Sequence, residues 1–188
     1  MRRLLFVPLF LALAAPAHGL TPEEEAESHL QTMIASVREK NEPMRNRMFI
    51  KLRVLGDASV TPILAALQDP SPDVRLYLAF TLGFLEDPRV PPALLALFGS
   101  DPEVSVRCSA AEALGRLQSG DAIDPLIAAL SDPSPQIRQS AAYSLGLIGD
   151  PRAKPALEGA KSDADELVRF FAEDALVEIE REAARKKG

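Results

Sequence analysis

Residue types that build catalytic and metal centres are scarce in this chain. Its 188 residues include one cysteine, two histidines and no tryptophan. A single cysteine excludes an internal disulfide and any metal site made of several cysteines, and two histidines leave little for histidine-based metal chemistry. The net charge of −6 opposes broad binding to the phosphate backbone of nucleic acids. We therefore expect no metal, no cofactor and no nucleic-acid partner.

Aromatic residues are also few, at 5%, although 47% of the residues are hydrophobic. Alanine and leucine supply most of this hydrophobic share, and both favour helices, whereas β-rich chains favour valine, isoleucine, threonine and aromatics. Sixteen prolines divide a helical chain into short pieces. The composition predicts an all-α protein made of short helices, and its hydrophobic content argues against disorder.

The N-terminus has the pattern of a secretion signal. Arg2 and Arg3 precede an uncharged apolar run that ends in Ala15-Pro16-Ala17. This run, residues 4–17, would form a helix of about 21 Å, shorter than the roughly 30 Å hydrocarbon core of a bilayer. We predict a signal peptide over residues 1–17, an exported protein that is periplasmic or secreted, and no stable membrane insertion after cleavage. An uncleaved membrane anchor is the alternative.

A repeat of about 31 residues dominates the rest of the chain. Four arginines are spaced 32, 31 and 31 residues apart, and each is followed seven residues later by a leucine. An aspartate precedes each of these blocks. The two columns are Arg75, Arg107, Arg138 and Arg169, and Asp69, Asp101, Asp132 and Asp163. Met44-Arg45, with Leu52 seven residues after the arginine, adds one degenerate unit at the start. This regularity is typical of a stacked-repeat protein.

Each unit has the pattern of two helices. The first begins near a proline, which suits the first helical turn, and the second carries apolar residues on one helical stripe. In the fourth unit the second helix is predicted over residues 136–148. Neither helix can bury its stripe alone, so neighbouring units must stack into a solenoid. We place the repeat domain at 22–186, with units of about 22–56, 57–86, 87–119, 120–149 and 150–186.

The best-formed unit, DPSPQIRQSAAYSLGLIGDP at Asp132–Pro151, resembles the short HEAT-like repeats of the phycobilisome-lyase type. The resemblance covers about residues 43–180. It implies a right-handed α-solenoid of about five HEAT-like helix pairs whose second helices line the concave face. It also implies that the arginine and aspartate columns form a structural ladder between neighbouring turns.

The resemblance brings enzymes into consideration. Some HEAT-like proteins, the deoxyhypusine hydroxylases, bind iron through His-Glu pairs, and no such pair occurs here. A bilin lyase would not fit an exported chain, and Cys108 has no histidine near it in the repeat to act as a base. We expect a monomeric scaffold without enzymatic activity. An enzyme or enzyme accessory of the lyase or hydroxylase type is the alternative.

The partner of such a scaffold would bind on the concave face. Positions +1, +2, +5 and +9 from each repeat arginine lie away from the buried stripe, and most of the aromatic residues after the signal fall there. Exposed aromatic clusters mark binding surfaces, so we predict an unidentified protein or peptide partner in the cell envelope. The alternative is that the rings pack between helices. The predicted contact residues are Leu76, Tyr77, Phe80, Phe84, Glu112, Arg116, Tyr143, Leu147, Phe170 and Phe171.

Overall fold

The computed structural model describes residues 19–185, so the predicted signal peptide lies outside the described residues. Within this range the chain is all-helical and forms an α-solenoid. Short 3-10 turns at Gly120–Ala122 and Pro151–Ala153 precede α7 and α9. The α-helices are α1 Pro22–Arg38, α2 Glu42–Leu55, α3 Asp57–Ala66, α4 Pro72–Leu82, α5 Val90–Ser100, α6 Val104–Arg116, α7 Ile123–Ala129, α8 Pro135–Ile148, α9 Lys154–Ala160 and α10 Glu166–Arg185.

Local sequence sets where these helices begin and end. Thr21 caps α1 in a reciprocal capping box with Glu24, and Pro135 occupies the first turn of α8. Gly149 ends α8 with a positive φ of 71°. The first helices of the units begin earlier than their prolines predict. In α3 the helix begins at Asp57, so Pro62 lies inside it.

Odd-numbered and even-numbered helices pack as five successive pairs, and the even-numbered ones are the second helices of the units. The apolar stripe of each second helix is buried between units. Leu52, Leu82, Leu114 and Leu145, which follow the repeat arginines by seven residues, are all completely buried. Apolar burial of this kind drives the stacking of units that cannot fold alone.

Neighbouring second helices from α4 to α10 approach each other through glycine. We call each contact between consecutive second helices a seam. A Cβ on Gly83 would lie 2.8 Å from Ala113 Cβ, one on Gly115 would lie 2.8 Å from Ser144 Cβ, and one on Gly146 would lie 3.0 Å from Ala175 Cβ. Only a residue without a side chain allows this approach. The repeated glycine therefore fixes how closely the units stack.

No helix in residues 19–185 combines the length and apolar character needed to cross a membrane.

Candidate partner-binding groove

A groove crosses the second helices α4, α6, α8 and α10. It consists of two adjacent depressions of about 750 and 430 Å³, which share Glu112, Gln139 and Ser140 in their walls. Leu76 and Phe80 lie at the end formed by α4, and Leu167 and Phe171 at the end formed by α10. The full lining is Leu76, Phe80, Pro102, Glu103, Val104, Ser105, Cys108, Ser109, Glu112, Gln136, Gln139, Ser140, Tyr143, Leu167 and Phe171.

The structure divides the predicted contact residues among four places. Five of them line the groove. Three more, Phe84, Arg116 and Leu147, line a separate depression of about 690 Å³ beside it. Tyr77 lies beneath the guanidinium of Arg45 in α2, 4.2 Å from ring centroid to Cζ. Phe170 is 59% exposed on α10. The five in the groove are Leu76, Phe80, Glu112, Tyr143 and Phe171.

The rings at the α4 end pack between helices. Phe80 and Phe84 contact each other and Phe49 of α2, with centroid separations of 5.1–5.3 Å. The Arg116 guanidinium lies over the rings of Phe80 and Phe84, with Cζ 5.1 and 5.2 Å from their centroids. These rings are half-buried. Phe49 was not predicted as part of this cluster, although its place four residues after Arg45 in the degenerate unit could have revealed it.

The rings at the α10 end form a second cluster that is more open to solvent. Tyr143 contacts Phe171 at 5.7 Å, and Phe171 contacts Phe170 at 5.4 Å. Tyr143 is 37% exposed. Within the described residues no ring contact joins Tyr143 to Phe80, because α6 places Cys108 and Glu112 between them. The single aromatic patch expected from the sequence is therefore replaced by two clusters with a polar middle.

Position +2 of the repeat is a further departure from the expected exposed columns. Ser109 and Ser140, which hold this position in α6 and α8, are buried. The Ser109 hydroxyl donates to the Leu76 carbonyl at 3.0 Å, and the Ser140 hydroxyl donates to a Glu112 carboxylate oxygen at 3.5 Å. The helices approach so closely through glycine that these two hydroxyls bond across the seam, although both serines also line the groove.

The polar middle of the groove is held in place by local hydrogen bonds. Arg116 pairs with Glu112 at 3.3 Å, and the Gln139 amide donates to Asp165 at 2.9 Å. This hydrogen bond from Gln139 lowers the pKa of the Asp165 carboxyl. Burial raises the pKa of the Cys108 thiol, so the thiol stays neutral and is a poor nucleophile near neutral pH.

The arginine and aspartate columns connect units on another part of the surface. Arg75 donates two hydrogen bonds to the Asp101 carboxylate, at 2.7 and 2.9 Å, and a third to the Asp69 carbonyl. Arg138 binds Asp163 in the same way, at 2.8 Å twice. These charge-assisted bidentate pairs tie α4 and α8 to the aspartate of the unit that follows each of them.

Two arginines of the column bond to a backbone carbonyl but, within the described residues, do not pair with the carboxylate of a following unit. Arg107 donates to the backbone carbonyl of Asp101 at 2.7 Å, and Arg169 donates to that of Asp163 at 2.7 Å. Among the described residues no hydrogen bond joins Arg107 to the carboxylate of Asp132. The carboxylate of Asp69 accepts a hydrogen bond from Arg38 of α1 at 2.6 Å and one from the Ser71 backbone N–H at 2.9 Å.

No group of three or more histidine, cysteine, aspartate or glutamate residues in 19–185 is arranged to hold a metal ion.

Family comparisons agree with this architecture. The family model described as HEAT repeats matches residues 92–177, and that described as PBS lyase HEAT-like repeat matches residues 74–100. The chain is a HEAT-like repeat protein. The resemblance inferred from the repeat motif and the α-solenoid fold are thus confirmed. No curated protein matches the sequence.

Several solved structures share the fold of this HEAT-like repeat protein. The complex of CpcE and CpcF of phycocyanin lyase from Nostoc sp. PCC7120 contains a chain that is 24% identical, with a TM-score of 0.71, and the match covers 79% of this chain and 98% of that one. The Escherichia coli protein YibA is 18% identical, with a TM-score of 0.65 over 86% of this chain and 64% of its own. Human deoxyhypusine hydroxylase gives a TM-score of only 0.45, which supports no conclusion.

The expectation of a chain without an enzymatic role is contradicted by these matches. A repeat of the PBS lyase type at residues 74–100, together with the phycocyanin lyase neighbour, suggests a lyase-type, enzyme-related function. The expectation rested on the scarcity of histidine and on predicted export. The scarcity of histidine argues against an iron-dependent hydroxylase, but it does not argue against a lyase-type role.

Proposed function

We propose that this HEAT-like repeat protein binds a partner protein or peptide in the groove, as an accessory to a lyase-type, enzyme-related function. The observation that best supports this proposal is the groove, which has apolar ends at α4 and α10 and a polar middle at α6 and α8. Concave surfaces of stacked repeats serve as extended binding sites in proteins of this architecture.

The dimensions of the groove suit an extended segment. Packed helices are about 8–10 Å apart, so crossing four second helices spans roughly 27 Å. An extended chain advances about 3.3 Å per residue, which gives a partner segment of about eight residues. Apolar side chains near both ends of that segment would contact Phe80 and Phe171. Donors in its middle would face the carboxylate of Glu112.

The proposed setting is the cell envelope. It rests on Arg2, Arg3 and the apolar run that follows them, which together favour secretion. N-terminal sequencing of the purified protein tests this part separately. A mature chain starting near His18 or Leu20 is expected, and an intact Met1 on membrane-bound protein would contradict it.

The groove is best tested where its rings are open to solvent. Replacing Phe80 at the α4 end would disturb its ring cluster with Phe49 and lower stability. We instead expect Tyr143→Ser combined with Leu167→Ser to abolish binding without unfolding, because both side chains are exposed. Ile50→Ser combined with Val54→Ser removes two exposed apolar side chains from α2 and is the matched control.

The measurement is photo-crosslinking in intact cells from a residue placed at position 139, followed by mass spectrometry of the crosslinked species. One recurrent partner is expected for the parent protein and the α2 control, and none for the groove variant. Equal crosslinking by the groove variant would show that the partner binds elsewhere. Circular dichroism of all three proteins establishes that they are folded.

A further inference from the structure

The two ends of the solenoid carry exposed faces of opposite charge. On α2, Arg47 and Lys51 lie beside exposed Ile50 and Val54. On α10, exposed acids alternate with Phe170 and with Val177, which is 45% exposed. We propose that these faces bind each other in two copies of the chain, so that α10 of one copy packs against α2 of the next. A monomer is the expectation from the sequence, and the end faces argue for head-to-tail self-association.

The interior seams define which positions would meet. Counting from each repeat arginine, +1 of one second helix contacts +2 of the next, as the Leu76 carbonyl does with Ser109. Position +5 also contacts +2, since Tyr143 lies against Phe171. Position +8 contacts +6, as in the approach of Gly115 to Ser144. The glycine contact recurs at the three seams between α4 and α10.

Applied to the ends, this register pairs an acid with a base. In α2, counted from Arg45, position +2 is Arg47 and position +6 is Lys51. In α10 positions +1, +5 and +8 are Phe170, Asp174 and Val177. Asp174 would therefore face Arg47, and the Phe170 ring would lie beside the same guanidinium, a favourable cation–π arrangement.

All of these side chains are available for such a contact. Phe170, Asp174 and Arg47 are exposed, as are Lys51 and Val177. Within residues 19–185, the side chains of Asp174, Arg47 and Lys51 make no hydrogen bond or ion pair. Unpaired opposite charges on matching faces favour encounter in one orientation and disfavour others.

The same positions limit how tightly the copies associate. The interior seams pair glycine at +8 with a small residue at +6, whereas the ends carry Val177 and Lys51 there. The new seam would be wider than the interior ones and would bury less than the roughly 800 Å² per partner of a standard interface. Because the contact is head-to-tail, association is open-ended and increases with protein concentration.

The test is sedimentation velocity of the full chain at low ionic strength over about 10–500 μM. We expect a weight-average sedimentation coefficient that rises with concentration and falls with added salt. Arg47→Glu and Asp174→Arg should each weaken association at least about tenfold, because each places like charges opposite each other. The double variant, Arg47→Glu with Asp174→Arg, should restore it.

The two single variants shift the net charge in opposite directions, so a general charge effect would weaken one and strengthen the other. That outcome would overturn the proposal, as would a double variant that remains as weak as either single one. A concentration-independent monomer for the parent protein would also overturn it. Asp121→Arg, at an exposed acid away from both ends, is the matched control and should associate like the parent. Partner crosslinking in the groove is independent of these outcomes.

Discussion

The first seam of the solenoid and the three later seams are built from different residues. At position +8 of the repeat, α4, α6 and α8 carry Gly83, Gly115 and Gly146, and the following helix approaches within contact of their backbones. In α2 the same position is Arg53, whose guanidinium Cζ lies 5.9 Å from the centroid of the Phe84 ring. An arginine cannot enter the space of a glycine. The first seam is instead filled by the rings of Phe49, Phe80 and Phe84.

The ladder of ion pairs differs between the same two regions. In two of the later units the repeat arginine of the second helix binds the aspartate of the next unit, as Arg75 binds Asp101 and Arg138 binds Asp163. In the first unit Arg45 stacks on Tyr77, and Arg38 from α1 binds Asp69 in its place. The terminal unit has thus kept the core leucine of the repeat while changing both of its inter-unit contacts. Units stack by core burial first, and the seams and ladder set their spacing.

Core positions should behave alike in the two regions. Leu52 and Leu145 are both completely buried, so Leu52→Ala and Leu145→Ala should each lower the free energy of unfolding by about 2–5 kcal/mol. Denaturant titration measures the loss, with Asn46→Ala at an exposed position as a control expected within about 0.5 kcal/mol. A loss for Leu145 but not for Leu52 would mean that the first unit is not part of the cooperative core.

The ladder should make stability depend on pH. The Arg75 guanidinium lowers the pKa of the Asp101 carboxyl below its ordinary 3.8. A carboxyl with a lowered folded-state pKa contributes stability above its ordinary pKa and loses it as the pH falls through the folded value. Asp101→Asn should therefore cost about 1–3 kcal/mol at pH 7, and this cost should shrink below about pH 4.

Unfolding titrations of the parent and Asp101→Asn at both pH values test this. Asp69→Asn offers the comparison with the first unit, because its partner Arg38 has a side chain that is 54% exposed. Exposed pairs contribute little, so the loss at pH 7 should be smaller. Equal losses would show that the exposure of the arginine does not matter.

The glycine seams should resist even one added methyl group. A Cβ on Gly115 would lie 2.9 Å from the Ser144 Cα as well as 2.8 Å from its Cβ. Overpacking costs about 1–3 kcal/mol and outweighs the helix propensity that alanine gains, so Gly115→Ala should lose about 1–2 kcal/mol. Gly99→Ala in α5 meets open space and should be neutral or slightly stabilising in thermal unfolding. A stabilised Gly115→Ala would mean that the seam can widen freely.

The first seam should tolerate change at the same repeat position. Arg53 is exposed, and a cation–π contact at such a site contributes at most about 1 kcal/mol. Arg53→Ala should therefore shift the unfolding free energy by less than about 0.5 kcal/mol, the smallest effect of this set. A loss as large as that of Gly115→Ala would indicate that Arg53 holds α2 in place.

The site residues were harder to foresee than the repeats. Spacing and helical period located the second helix of the fourth unit, predicted over 136–148 and observed at Pro135–Ile148. They also placed Tyr143 and Phe171 at the groove. Spacing and helical period did not show that Ser109 and Ser140 enter the seam. The helical period predicts in which direction a side chain points, but it does not predict how close the neighbouring helix lies.

What the sequence determined by itself is the solenoid. Its helix formers, prolines and 31-residue period require units that bury a stripe only by stacking. What only the tertiary structure decided is which outward-pointing residues remain accessible. Phe80 and Phe84 are covered by Phe49 from the second helix of the preceding unit. Tyr143 stays open, and α6 carries Ala111, not a ring, at the repeat position of Phe49. Accessibility depends on the neighbouring unit, and the pattern of a single helix contains no information about that unit.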